Sequence, residues 1–200
     1  MPWKLWAVGA GLCLATLGCI VWRVPEPARI AVVELSPEPG IPLAEDPVRS
    51  ALGDMLFFLP KGWFVLNLGE RAPAGMVAVG VNPEYTLALT VLLLRQARKD
   101  SAGQYNLVEL AQQSFARRQA RTAGAIRLAS DFTIVRIGPK TFVLYRFKNG
   151  VRYVRVAVFA SSIGTVYEVA LVPLSLRAID PPSEEECSRL FEGVLRAVQF

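Results

Sequence analysis

Residues 142–159 read FVLYRFKNGVRYVRVAVF. Two runs rich in β-branched and aromatic residues meet at Asn149-Gly150, a pair that tolerates positive φ and suits a two-residue hairpin turn. With the turn placed there, Phe147 falls opposite Arg152, Tyr145 opposite Val154 and Val143 opposite Val156 on one face. Leu144 falls opposite Arg155 and Phe142 opposite Ala157 on the other. The first face is almost wholly apolar and needs a cover. The second mixes Arg146, Lys148 and Arg155 with Phe142, Tyr153 and Phe159. The hairpin reads as the middle of an antiparallel sheet.

Outward from it, short apolar runs predict further strands at Met55–Leu59, Trp63–Leu68, Met76–Val81, Tyr85–Ala97, Ile126–Leu128, Phe132–Ile137 and Thr165–Val172. Along the last of these, Tyr167, Val169 and Leu171 alternate inward. Helical spacing replaces this pattern twice. From Asn106, the apolar residues Leu107, Leu110, Ala111 and Phe115 share one side, with Asn106 as N-cap and Gly124 as stop. From Ser183, a capping box with Glu186 opens a helix whose stripe is Cys187, Leu190, Phe191, Val194 and Leu195. The acidic first turn, Glu184-Glu185-Glu186, suits the positive end of the helix dipole. Strands in blocks with a helix after each predict an α+β domain, an antiparallel sheet flanked by helices.

The chain has 200 residues, 52% of them hydrophobic, and a formal net charge of +5. That composition excludes a disordered protein. It contains no histidine, which removes the Ser-His-Asp and Cys-His arrangements and any His-bearing metal site. Cys13, Cys19 and Cys187 form no CxxC pair, so neither a zinc site nor an internal disulfide is expected. No G-x-S-x-G elbow, phosphate loop or pair of catalytic carboxylates is present. The expectation is a protein that is not an enzyme and carries no cofactor.

Leu5 to Trp22 is an uncharged run of 18 residues. As a helix it measures about 27 Å, close to the hydrocarbon thickness of a bilayer. Trp3, Trp6 and Trp22 sit where interfacial aromatics belong. Residues 1–23 thus read as a single transmembrane anchor in the cell membrane. The flanking charges place the N-terminus inside and the rest of the chain on the extracytoplasmic, periplasmic side. Two other readings stand beside this one: a lipoprotein, with Thr16-Leu17-Gly18-Cys19 as a degenerate lipobox and Cys19 lipidated, and a cleaved signal peptide. Ala7, Gly11, Ala15 and Gly18 fall on one side of the helical wheel of this run, a spacing that permits close packing on another membrane helix. Residues 24–51, with six prolines from Pro25 to Pro47, read as an extended spacer, of which Ile30–Leu35 has the composition of an edge strand. Residues 52–200 read as the globular domain.

Three short features recur in one family in this order: the Pro60-Lys61-Gly62-Trp63 stop between opening strands, the Ile137-Gly138-Pro139 turn feeding Phe142–Phe147, and the closing Leu195-Arg196-Ala197-Val198-Gln199-Phe200. With the element order, they resemble the PsbP/Mog-like superfamily, which includes the photosystem II extrinsic PsbP proteins and DcrB-like bacterial lipoproteins. The resemblance implies an α/β/α sandwich over about residues 52–200 and a non-catalytic accessory or binding role at a membrane complex. The chain departs from PsbP proper in carrying its own apolar N-terminal run.

Charge is distributed unevenly. Between Arg117 and Arg155 stand ten basic residues and one acid, Asp131. Arg146, Lys148 and Arg155, on the mixed face of the hairpin, form the candidate interaction face, for anionic lipid or an acidic protein surface. Their bland alternative is a solvated face whose arginine stems cover apolar surface. Nucleic acid is not an expected partner: no RNP-like or helix-turn-helix pattern occurs. The expected partners are the bilayer and an integral membrane protein complex.

Overall fold

The structure is a computed structural model that describes residues 30–101, 103–176 and 179–200. The strands are β1 (Val32–Leu35), β2 (Leu43–Arg49), β3 (Leu56–Pro60), β4 (Phe64–Val65), β5 (Met76–Val81), β6 (Leu87–Gln96), β7 (Arg127–Leu128), β8 (Thr133–Ile137), β9 (Lys140–Asn149), β10 (Arg152–Ala160) and β11 (Thr165–Pro173). The helices are α1 (Leu107–Arg121) and α2 (Glu184–Ala197). The main sheet runs β1-β8-β9-β10-β11-β6-β5-β4, with the short β7 also on β9, while β2 and β3 form a separate pair.

The sheet is mixed rather than antiparallel throughout. β1 lies parallel to β8, from Val32 opposite Ile134 to Leu35 opposite Ile137. The other pairings are antiparallel. A strand arriving from far away in the chain is free of the hairpin constraint that makes sequence neighbours antiparallel. Residues 30–35 thus dock as an edge strand. Within the stretch read as a spacer, Leu43–Arg49 also forms a strand, and Pro47 is accommodated because the β2–β3 pair has no central strand to interrupt.

The central hairpin is offset by two residues from the register that an Asn149-Gly150 turn gives. Asn149 pairs with Arg152, Phe147 with Val154 and Tyr145 with Val156, so the turn residues are Gly150 and Val151. Gly150 has φ of 62°, the pattern of a turn that takes glycine first and an ordinary residue second. Val151, β-branched, is spared a positive φ. Because the slip is even, every side chain keeps the face assigned to it.

Each face has its own core. On one, Val143, Tyr145, Phe147, Val154, Val156 and Val158 pack under Leu110 and Ala111 of α1. On the other, Phe142, Phe159, Val169 and Leu171 meet Phe191, Val194 and Leu195 of α2, with Phe57 of β3. Between the two cores, β10 from Val154 to Phe159 and β11 from Thr165 to Leu171 are buried on both sides. Phe200 stacks on Phe159 at 4.5 Å, and Gln199 bridges to Leu56, so the tail after α2 closes the second core. Both helix starts follow the sequence: Asn106 accepts from Glu109 N, and Ser183 and Glu186 form the reciprocal capping box. Among the described residues no helix is long and apolar enough to cross a membrane. The run 5–22, its packing positions Ala7, Gly11, Ala15 and Gly18, and Cys19 lie outside the described residues.

Candidate interaction surface

The register sets Arg146 of β9 directly opposite Arg155 of β10 on the α2 side of the sheet. Two like charges in that position repel. Glu184, the first residue of α2, lies against both. Arg155 Nη2 donates to Glu184 Oε2 and to the Glu184 carbonyl, each at 2.7 Å, and Arg146 Nη1 lies 3.9 Å from the same carboxylate. The side chain that seals the pair thus comes from the helix terminus, and the ion pair fixes where α2 sits.

The consequence for the basic face is a correction. Arg155 is 3% exposed and belongs to the interior; its Nε has no hydrogen-bond partner. The surface part consists of Arg146, with its side chain 44% exposed, and Lys148, also exposed. Both cations lie beside the ring of Tyr153, at 5.7 and 5.9 Å from its centroid, an arrangement that holds them through the ring quadrupole.

Next to Arg146 a groove of about 310 Å³ runs between β1, β8 and α2. Val33, Leu35, Val135, Leu144 and Phe191 supply apolar walls, and Arg146, Ser188 and Glu192 supply polar groups. The edge strand β1 makes one wall, so the docking of residues 32–35 creates the groove.

On the α1 side a second charged group is buried. Glu168 of β11 is 2% exposed and accepts hydrogen bonds from Ser114 and Arg118 of α1. Ser114 Oγ also lies 2.9 Å from Tyr145 Oη. Burial by itself lowers the Arg118 pKa, but the Glu168 carboxylate outweighs it and holds the guanidinium charged. Burial, reinforced by the Glu168 charge, pushes the Tyr145 phenol well above its ordinary range. Tyr145 therefore stays protonated. A cavity of about 140 Å³ beside this cluster is lined also by Arg117 and Arg121. The sequence signal for the group is slight: an acid between Val166 and Ala170 on the apolar side of β11, and Ser114 with Arg118 at i, i+4 on α1.

Asp54, in the turn before β3, ties that turn to the sheet. It accepts from Ser50 Oγ at 2.8 Å, Ser161 Oγ at 2.6 Å and Tyr167 Oη at 2.5 Å. Burial raises its pKa, yet these hydroxyls together more than reverse that and hold it at about 2. Cys187 is a buried free thiol that burial pushes up, and Trp63 packs half-buried against the α2-side core. Among the described residues no three His, Cys, Asp or Glu side chains gather as metal ligands.

No protein-family model and no curated protein matches the chain. Solved structures do. The solution structure of cyanobacterial PsbP (CyanoP) from Synechocystis sp. PCC 6803 superposes with a TM-score of 0.56 at 12% identity, covering 77% of this chain and 91% of that one. The Saccharomyces cerevisiae Ran-binding protein Mog1p superposes with a TM-score of 0.51 at 15% identity, covering 78% of this chain and 95% of that one. On these superpositions the chain has a PsbP/Mog1-like fold.

Proposed function

We propose that the chain is a non-catalytic accessory protein, held in the membrane by residues 5–22, whose extracytoplasmic domain contacts and stabilises a larger membrane protein complex. One observation carries this reading: the charges turned inward act as fasteners between elements. Glu168 joins β11 to α1, Arg155 joins β10 to α2, and Asp54 joins the turn before β3 to β11. Arg146, exposed on the α2 side of the sheet, lines an apolar groove and has Lys148 two residues along the same strand face, which suits contact with an acidic, partly apolar protein segment. One structural neighbour is by its own name a Ran-binding protein, so the fold is compatible with protein recognition. The small-residue positions Ala7, Gly11, Ala15 and Gly18 extend the contact into the bilayer.

A second reading has Thr16-Leu17-Gly18-Cys19 in its favour: an envelope lipoprotein that binds a small ligand in the 310 Å³ groove. Mass spectrometry of the protein purified from membranes separates the two. An unmodified segment through Trp22, together with co-purifying integral membrane subunits, is the expected result. A diacylglyceryl group on Cys19 at a new N-terminus overturns the anchor reading in favour of the second.

A further inference from the structure

The direction of β1 sets the end of the sheet at which the described chain begins. β1 runs parallel to β8, and β8 runs antiparallel to β9, with Thr133 opposite Leu144 and Ile137 opposite Lys140. The end at which β1 begins is therefore the end toward which β9 runs, the one that carries the Gly150-Val151 turn. α1 points the same way: Leu107 and Val108 share a cavity with Val143, whereas Arg118 lies over the Phe147 ring.

That end has an unusual surface. Val151, at the tip of the turn, is 86% exposed, and Leu176, just past β11, is 70% exposed. Arg127 of β7 lies directly opposite Lys148 of β9. Both are exposed, and among the described residues no carboxylate forms an ion pair with either. Arg152, half-buried at the base of the turn, donates to the Leu174 carbonyl. Two like charges face to face cost stability, a cost that an external anion relieves. Elsewhere on the molecule the comparable juxtaposition, Arg146 with Arg155, is answered by Glu184; here the Tyr153 ring lies beside Lys148, and among the described residues no carboxylate answers the pair.

We propose that this end of the sheet rests on the membrane surface. Val151 and Leu176 enter the interfacial layer, and Arg127 and Lys148 take the phosphate groups of anionic lipids. The inference rests on the reading of residues 5–22 as an anchor. Eight peptide steps separate Trp22 from Ile30, a reach of at most about 28 Å. From the level of Ile134 to the turn, β9 covers six residues, about 20 Å. The connection is long enough to bring the turn to the interface. Presenting the opposite end, with the Ser161–Gly164 turn, requires the chain to reverse at Ile30.

The test uses the full chain in vesicles of phosphatidylcholine, with and without phosphatidylglycerol. Val151→Cys and Ile163→Cys, the latter replacing an exposed residue of the opposite turn, are each treated with a water-soluble maleimide. Modification is read on the individual peptides by mass spectrometry, and alkaline carbonate extraction reports whether the anchor is inserted. The expected result is carbonate-resistant protein in which residue 151 is protected in phosphatidylglycerol vesicles and residue 163 is not. Arg127→Gln with Lys148→Gln is expected to reduce that protection by about fivefold for each cation removed. Equal modification of 151 and 163 in carbonate-resistant protein overturns the inference and leaves the anchor standing. Protection of 151 that ignores phosphatidylglycerol overturns headgroup recognition. Protection that appears only when native membrane proteins are present overturns the lipid partner in favour of a protein. Extraction by carbonate overturns the anchor and, with it, this inference.

Discussion

At Asp54 a single carboxylate holds three hydroxyls, from the β2–β3 turn, the β10–β11 turn and β11, and its folded pKa of about 2 lies below the ordinary aspartate value of about 3.9. The unfolded chain thus takes up its proton before the folded one does. The stabilisation is complete above about pH 4 and is lost as pH falls toward 2. Urea unfolding followed across that window is expected to show falling stability, and Asp54→Asn is expected to flatten the fall. At Glu168 the logic is that of a buried pair. Glu168→Ala leaves Arg118 without its partner between α1 and the sheet, for an expected loss of about 3–5 kcal/mol in urea unfolding. Replacing both residues with leucine is expected to recover most of it, because the desolvation of both charges disappears with them.

At the level of elements, α2 is positioned by close approach as well as by its cap. A Cβ built on Gly193 meets Ile41 Cγ1 at 2.6 Å and the Pro39 carbonyl oxygen at 2.9 Å. Gly→Ala inside a helix ordinarily stabilises by about 0.5–1 kcal/mol. Here the backbone of the segment between β1 and β2 stands in the way. Gly193→Ala is expected to destabilise instead, by about 1–3 kcal/mol, measured as a lowered urea midpoint. The same elements show what the sequence makes legible. The capping box at Ser183, the N-cap at Asn106 and the alternation along β9 to β11 are local signals, and each reads directly from spacing. The parallel seat of β1 depends on residues 100 positions away, which no local pattern records. The hairpin offset escapes because Asn149-Gly150 and Gly150-Val151 both satisfy turn chemistry and leave the faces unchanged. Arg155 reads as surface from its type alone; only the arrival of Glu184 explains its burial.

For the whole molecule, the candidate face follows from how the layers close. The sheet separates two cores, the buried charges lock the helices to it, and the outward residue of the α2 side nearest the groove is Arg146. Reversing Arg155 would test folding rather than recognition, since that side chain is interior. Arg146, with its side chain 44% exposed, is the informative position. The most direct measurement is the native mass of the protein after membranes are solubilised in mild detergent, compared between wild type and Arg146→Glu, with urea unfolding used to verify that the variant is folded. The expected result is a wild-type assembly several times heavier than the chain and a folded Arg146→Glu protein shifted toward the free chain. A wild-type protein that migrates alone, or a folded variant that stays in an undiminished assembly, would contradict contact through this face.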